Sequence, residues 1–132
     1  MKFKIDTKEK FTVVMPEEDH LYDNMAAELA AACNDCLTKT PSNVILNLQP
    51  VTEMQNEVAQ TIASVQQQFY DKNASFVICS LQPGPEKTFE ALDLLELLNI
   101  TPTESEAWDI IQMEEIEREL LDSDDIEFEA NE

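Results

Sequence analysis

Two short and almost wholly apolar runs, Val44-Ile45-Leu46-Asn47-Leu48 and Phe76-Val77-Ile78-Cys79, constrain this chain more than any other feature. A strand with one wet face alternates apolar and polar residues, so runs without that alternation read as interior strands covered on both sides. Between them Met54, Val58, Ile62, Val65 and Phe69 recur at helical spacing, with Gln55, Gln60, Gln66, Gln67 and Gln68 largely on the other face. Strand, helix and strand in that order is the pattern of parallel strands joined by a crossover.

The rest of the chain extends the alternation. Phe3 and Ile5 alternate with Lys2, Lys4 and Asp6, and Phe11-Thr12-Val13-Val14-Met15 follows a charged turn, which predicts an opening hairpin. From about Asp23, the residues Met25, Ala26, Leu29, Ala30, Cys33 and Leu37 mark an amphipathic helix that Thr40-Pro41-Ser42 stops. Pro83-Gly84-Pro85, with the one glycine of the sequence, reads as a tight connection before a third helix from Glu86 to about Asn99, striped by Phe89, Leu92, Leu95 and Leu98. Ile100-Thr101 reads as a short edge strand. Thr103 and Glu106 have the spacing of a capping box, and a fourth helix with Ala107, Ile110, Ile111, Met113, Ile116, Leu120 and Leu121 follows. The expectation is one α/β domain over residues 1–121: an N-terminal hairpin plus a mixed four- to five-stranded sheet with about four helices.

Residues 122–132 are densely negative, and self-repulsion there predicts an acidic tail without a fixed fold. In the whole chain 28 acidic residues stand against 8 Lys and Arg, a formal charge of −20. Such a field repels phosphate backbones and anionic membranes, so nucleic acid and membrane are excluded as partners and basic protein surfaces are favoured. The first residues lack a secretory apolar run and no stretch is long enough to span a bilayer, which predicts a cytoplasmic protein. Three cysteines cannot pair completely within the chain, and they are read as thiols.

The order of elements resembles a STAS domain of the anti-sigma factor antagonist type, and so do particular residues. Val44-Ile45-Leu46-Asn47-Leu48 followed by Pro50-Val51-Thr52-Glu53-Met54 is similar to the family's central strand, with Asn47 where the family usually has aspartate. Ala74 to Ser80 resembles the next strand, and Phe89 to Ile100 the helix that closes in a Leu-x-x-Leu-like turn. In antagonists the strand is followed by Asp-Ser-Ser-Gly at a helix start, where a partner kinase phosphorylates one serine. Here Gln55-Asn56-Glu57-Val58 stands instead, with no hydroxyl. The resemblance makes these four residues the partner-binding candidates, and an anti-sigma factor or switch kinase the partner.

Glu57 admits two readings. It imitates a phosphoserine, with about one charge against the −1.5 to −2 of a phosphate. Alternatively Glu53 and Glu57 occupy the first turns of a helix, where negative charge is favoured by about 0.3–1 kcal/mol, and Thr52 with Gln55 forms its capping box.

Other constellations carry less chemistry. Cys33-Asn34-Asp35-Cys36 has redox spacing but lies within the alanine-rich first helix, where Cys33 shares the stripe of Leu29 and Leu37. His20 is single and sits in a charged stretch without a nucleophile motif, and Gly84 alone makes no phosphate loop. The acidic tail fails the calcium-loop spacing at Ile126. Trp108 reads as a core residue before a partner anchor. No cofactor, metal or catalytic residue is expected, and the leading function is a non-catalytic protein–protein interaction module in regulatory signalling. Two alternatives stay open: a small-ligand-binding or enzymatic domain with its pocket at the strand ends, and a structural partner acting through the acidic tail.

Overall fold

The computed structural model describes residues 1–130, with side chains as far as Leu121. Strands β1 (Phe3–Thr7) and β2 (Thr12–Pro16) form the hairpin, in antiparallel register from Phe3 opposite Pro16 to Thr7 opposite Thr12. The chain then runs through β3 (His20–Leu21), a 3-10 turn at Asp23–Met25, α1 (Ala26–Asp35), β4 (Val44–Asn47), β5 (Glu53–Met54), α2 (Asn56–Asp71), β6 (Phe76–Cys79), α3 (Pro83–Ala91), β7 (Ile100–Thr101) and α4 (Glu104–Ala130). The main sheet has five strands in the order β1-β2-β4-β6-β7, and every pair after the hairpin is parallel.

Both apolar runs supply interior strands, with all four residues of β4 and all four of β6 buried. Their period of two sorts them between two cores. Val14, Val44, Leu46, Phe76 and Ile78 face α1, α2 and α3 and meet Leu29, Ile62, Phe69 and Phe89. Val13, Ile45, Val77 and Cys79 face the other way, where α4 supplies Ala107 and Ile111, flanked by Phe11, Trp108 and Ile110. Trp108 packs on Phe11 at 5.1 Å between ring centroids and lies partly buried against this smaller core.

Helix ends differ most from expectation. The third helix begins at Pro83, three residues earlier, because proline needs no amide partner in a first helical turn and the tripeptide read as a connection is that turn. It stops at Ala91 although apolar residues continue at helical spacing. Asp93 adopts a left-handed conformation (φ 58°), and the amides of Asp93 and Leu94 donate to the carbonyls of Glu90 (3.1 Å) and Phe89 (2.8 Å) in a Schellman closure. Asn73 (φ 59°) ends α2 in the same way, with Ala74 donating to Phe69. Leu98 stays buried while Leu92 and Leu95 pack half-buried on the core, so the stripe is used without the helix.

Two expectations hold in detail. Thr103 Oγ1 accepts from the Glu106 amide at 3.2 Å at the start of α4. All three cysteines are buried thiols, and burial holds Cys33 well above the ordinary thiol range. The boundary expected after residue 121 and the acidic tail expected at 122–132 lie outside the residues whose side chains are described, and 131–132 lie outside the described residues altogether, while the backbone of α4 continues to Ala130.

Candidate functional site

The start of α2 is positioned by a second, two-stranded sheet in which β3 and β5 pair in parallel, His20 opposite Glu53 and Leu21 opposite Met54. Met54 therefore belongs to a strand and α2 begins at Asn56, two residues further on. The Asp19 carbonyl accepts from the amides of Thr52 (2.8 Å) and Glu53 (3.2 Å) and from Thr52 Oγ1 (3.0 Å). The expected capping box of Thr52 and Gln55 is absent, because Thr52 is committed to that ladder. Gln55 occupies the N-cap position with extended backbone (φ −85°, ψ 161°) and makes no side-chain cap bond of its own.

The cap comes from another element. Asp23 Oδ1 accepts from the Glu57 amide at 3.1 Å, and Gln55 Oε1 accepts from the Asp23 amide at 2.6 Å. This pair exchanges the two bonds of a capping box across a sequence gap of more than thirty residues, and it sets a carboxylate against the positive end of α2. Asp23 was invisible as a site residue in the sequence; its only signal was an acidic side chain at the entrance of the first helix.

Of the four partner-binding candidates, Gln55, Asn56 and Glu57 are exposed and adjacent. Val58 is wholly buried and packs in the larger core, so it anchors the helix start from below. Among the described residues the Glu57 carboxylate forms no ion pair. Beside this surface a shallow groove of about 580 Å³ runs between β5, α2 and α3, lined by Thr52, Glu53, Asn56, Gln82, Lys87 and Thr88 among others. Its floor is a close backbone approach: a Cβ on Gly84 would stand 1.9 Å from the Thr52 carbonyl oxygen, so only glycine fits. Thr88 Oγ1 donates to the Met54 carbonyl at 2.9 Å, and Gln82 Nε2 donates to the Gln49 carbonyl.

At the carboxyl end of β4 the sheet meets the first turn of α4. Asn47 Nδ2 donates to Glu104 Oε1 at 3.1 Å and Asn47 Oδ1 accepts from the Gln49 amide at 2.9 Å. An aspartate at position 47 would set a second carboxylate against Glu104, which accounts physically for the asparagine here. Burial, opposed by a hydrogen bond with Ser80 and assisted by the charge of Glu104, pushes the Cys79 thiol up to about 11. A thiol held neutral in this way is a poor nucleophile.

Solved structures share this architecture. An anti-sigma factor antagonist from Mycobacterium paratuberculosis superposes with a TM-score of 0.73 at 14% identity, covering 84% of this chain and 93% of that one. The RsbS protein of Moorella thermoacetica, in a form with glutamate in place of a serine, gives 0.70 at 13% identity over 85% of this chain and 96% of that one. The Bacillus cell fate determinant SpoIIAA in its phosphorylated form gives 0.61 at 14% identity, with coverage of 83% and 99%. At these identities the likeness speaks for the fold. The sequence itself matches the STAS domain family model over residues 2–107, and the chain belongs to the STAS domain family.

Proposed function

We propose that this chain is a non-catalytic protein–protein interaction module in regulatory signalling, similar to an anti-sigma factor antagonist, whose partner face lacks a phosphorylatable serine. The observation that carries the proposal is the start of α2, where Gln55, Asn56 and Glu57 stand exposed, without a hydroxyl, in front of a helix end already capped by Asp23. Because Asp23 satisfies the Glu57 amide, the Glu57 side chain is spared from capping its own helix. Its charge is free to be read by a partner. The fold neighbours described as phosphorylated, or as carrying glutamate for serine, support a role for negative charge in such modules.

The partner is an anti-sigma factor or switch kinase with a basic contact surface, which the net charge of −20 favours. The folded unit is residues 1–121, with 122–132 as an acidic appendage, and its setting is the cytosol. Among the described residues, no helix is long and apolar enough to cross a membrane.

Glu57→Ser and Glu57→Gln test the reading. With an antagonist-type kinase, Glu57→Ser gains a phosphate at that residue and binds more tightly than the parent. Glu57→Gln alters binding most at low ionic strength, since an exposed charge is screened beyond about 8–10 Å at physiological salt. The stability of either variant changes by no more than about 0.3–1 kcal/mol. If both bind every partner as the parent does, the partner face lies elsewhere; a phosphate on Thr52 of the parent would move the acceptor position.

A further inference from the structure

Across the sheet from the start of α2, helix α4 carries a second apolar line that the domain core does not use. Ala107 and Ile111 seat the helix on the sheet, and Glu114 and Arg118 follow them on that side. At about 3.6 residues per turn, Met113, Ile116 and Leu120 fall on the opposite side, at positions i, i+3 and i+7. They are 63%, 54% and 53% exposed. A single exposed leucine is ordinary, but three large apolar side chains in register along one helix face form a strip of the kind used for recognition.

The charges around the strip select its occupant. Apart from Arg118, every charged residue of α4 is acidic, and Arg118 is turned inward, donating to Ser75 Oγ at 3.2 Å. Asp109, Glu117 and Glu119 are exposed and border the strip. A second copy of this chain would bring the same carboxylates against themselves, and an anionic membrane would be repelled likewise. A positively charged amphipathic helix satisfies both requirements, with apolar side chains for the strip and lysines or arginines for its rim.

We propose that the outer face of α4, centred on Met113, Ile116 and Leu120, docks a basic amphipathic helical segment of a partner protein. This surface is independent of the start of α2, so one domain holds two partners on opposite sides of its sheet.

The probe is a synthetic peptide of about eighteen residues with leucines at i, i+3 and i+7 and lysines on its remaining faces. A companion peptide has serine for each leucine, and anionic vesicles form a third arm. Amide shifts of the labelled full-length chain should change around 113, 116 and 120. Met113→Gln, Ile116→Gln and Leu120→Gln together, a set that retains helix propensity at exposed sites, should raise the Kd at least about tenfold, as should the serine peptide. The variant's melting temperature should match the parent's, and Glu57→Gln should bind the peptide normally even if the α2 reading fails. Equal binding of the serine peptide, shifts located elsewhere, stripe-dependent binding to the vesicles, or dimerisation of the parent that the triple variant abolishes would each overturn the proposal.

Discussion

On one side of the sheet, α1, α2 and α3 enclose a core that includes three phenylalanines, with Phe69 and Phe76 at 5.2 Å. On the other, a single helix covers a thin layer of Val13, Ile45, Val77, Cys79, Ala107 and Ile111. That thin layer is reinforced by polar bonds. Asn47 donates to Glu104, Asn43 Nδ2 to Glu115 at 2.7 Å, Tyr70 to Glu114 at 2.7 Å and Arg118 to Ser75, so α4 is tied down at four points along its length. Volume holds the first face together, while geometry specifies the second. Part-buried carboxylates contribute modestly to stability yet leave a polar group unsatisfied when the partner is wrong, which makes them better at fixing the placement of a helix than at raising its melting point.

The same truncation on the two faces should separate them most. Ile62→Ala, in the thick core, is expected to cost about 4–5 kcal/mol, and Ile111→Ala, under a single helix that can settle into the space, about 2–3 kcal/mol. Urea unfolding of both variants measures this, and an equal or reversed order would mean that α4 is as strongly packed as the helices opposite. Tyr70→Phe comes next. It removes the hydroxyl that donates to Glu114 and accepts from Asn99 Nδ2 at 2.6 Å, with an expected cost of about 1–2 kcal/mol for half-buried partners left unpaired. A change within error would show that these bonds are replaced by water without loss.

The smallest effect is alkaline. Burial raises the Cys79 thiol on the α4 face from 9.0 to about 11, so between those values the unfolded chain sheds its proton more readily than the folded one. The stability from the neutral thiol is therefore complete below about pH 9 and declines as pH rises towards 11. Cys79→Ala should flatten this decline without abolishing it, because burial also raises Cys33 on the opposite face, and burial with the Glu114 contact raises the Tyr70 phenol. Unfolding midpoints at a series of pH values would expose an unchanged slope, which would place the alkaline loss on Cys33 and Tyr70.

How far the sequence could be read differs between these regions for physical reasons. The interior strands were legible because burial on both faces removes the polar half of the strand period at Val44–Leu46 and Phe76–Cys79. The cap of α4 was legible because Thr103 and Glu106 lie within one turn. The start of α2 was not. Thr52 and Gln55 have capping-box spacing, yet each bonds to a segment more than thirty residues upstream. The end of α3 was hidden for a related reason: Leu92, Leu95 and Leu98 keep helical spacing because they still pack on the core, but the stop depends on one backbone angle at Asp93.

Residue pattern by itself determined the α/β class, the parallel sheet behind an opening hairpin, the domain's acidity and the missing hydroxyl at Gln55-Asn56-Glu57-Val58, because each depends only on local period, composition or residue type. Tertiary structure alone decided that Asp23 caps α2, that Val58 is buried while Glu57 faces outward, that Gly84 meets the Thr52 carbonyl, and that Met113, Ile116 and Leu120 are left outside both cores. Those outcomes depend on which segments the sheet brings together. A pairing of Leu21 with Met54, or of Ile45 with Val77, is a long-range contact whose partners no local stretch of sequence contains.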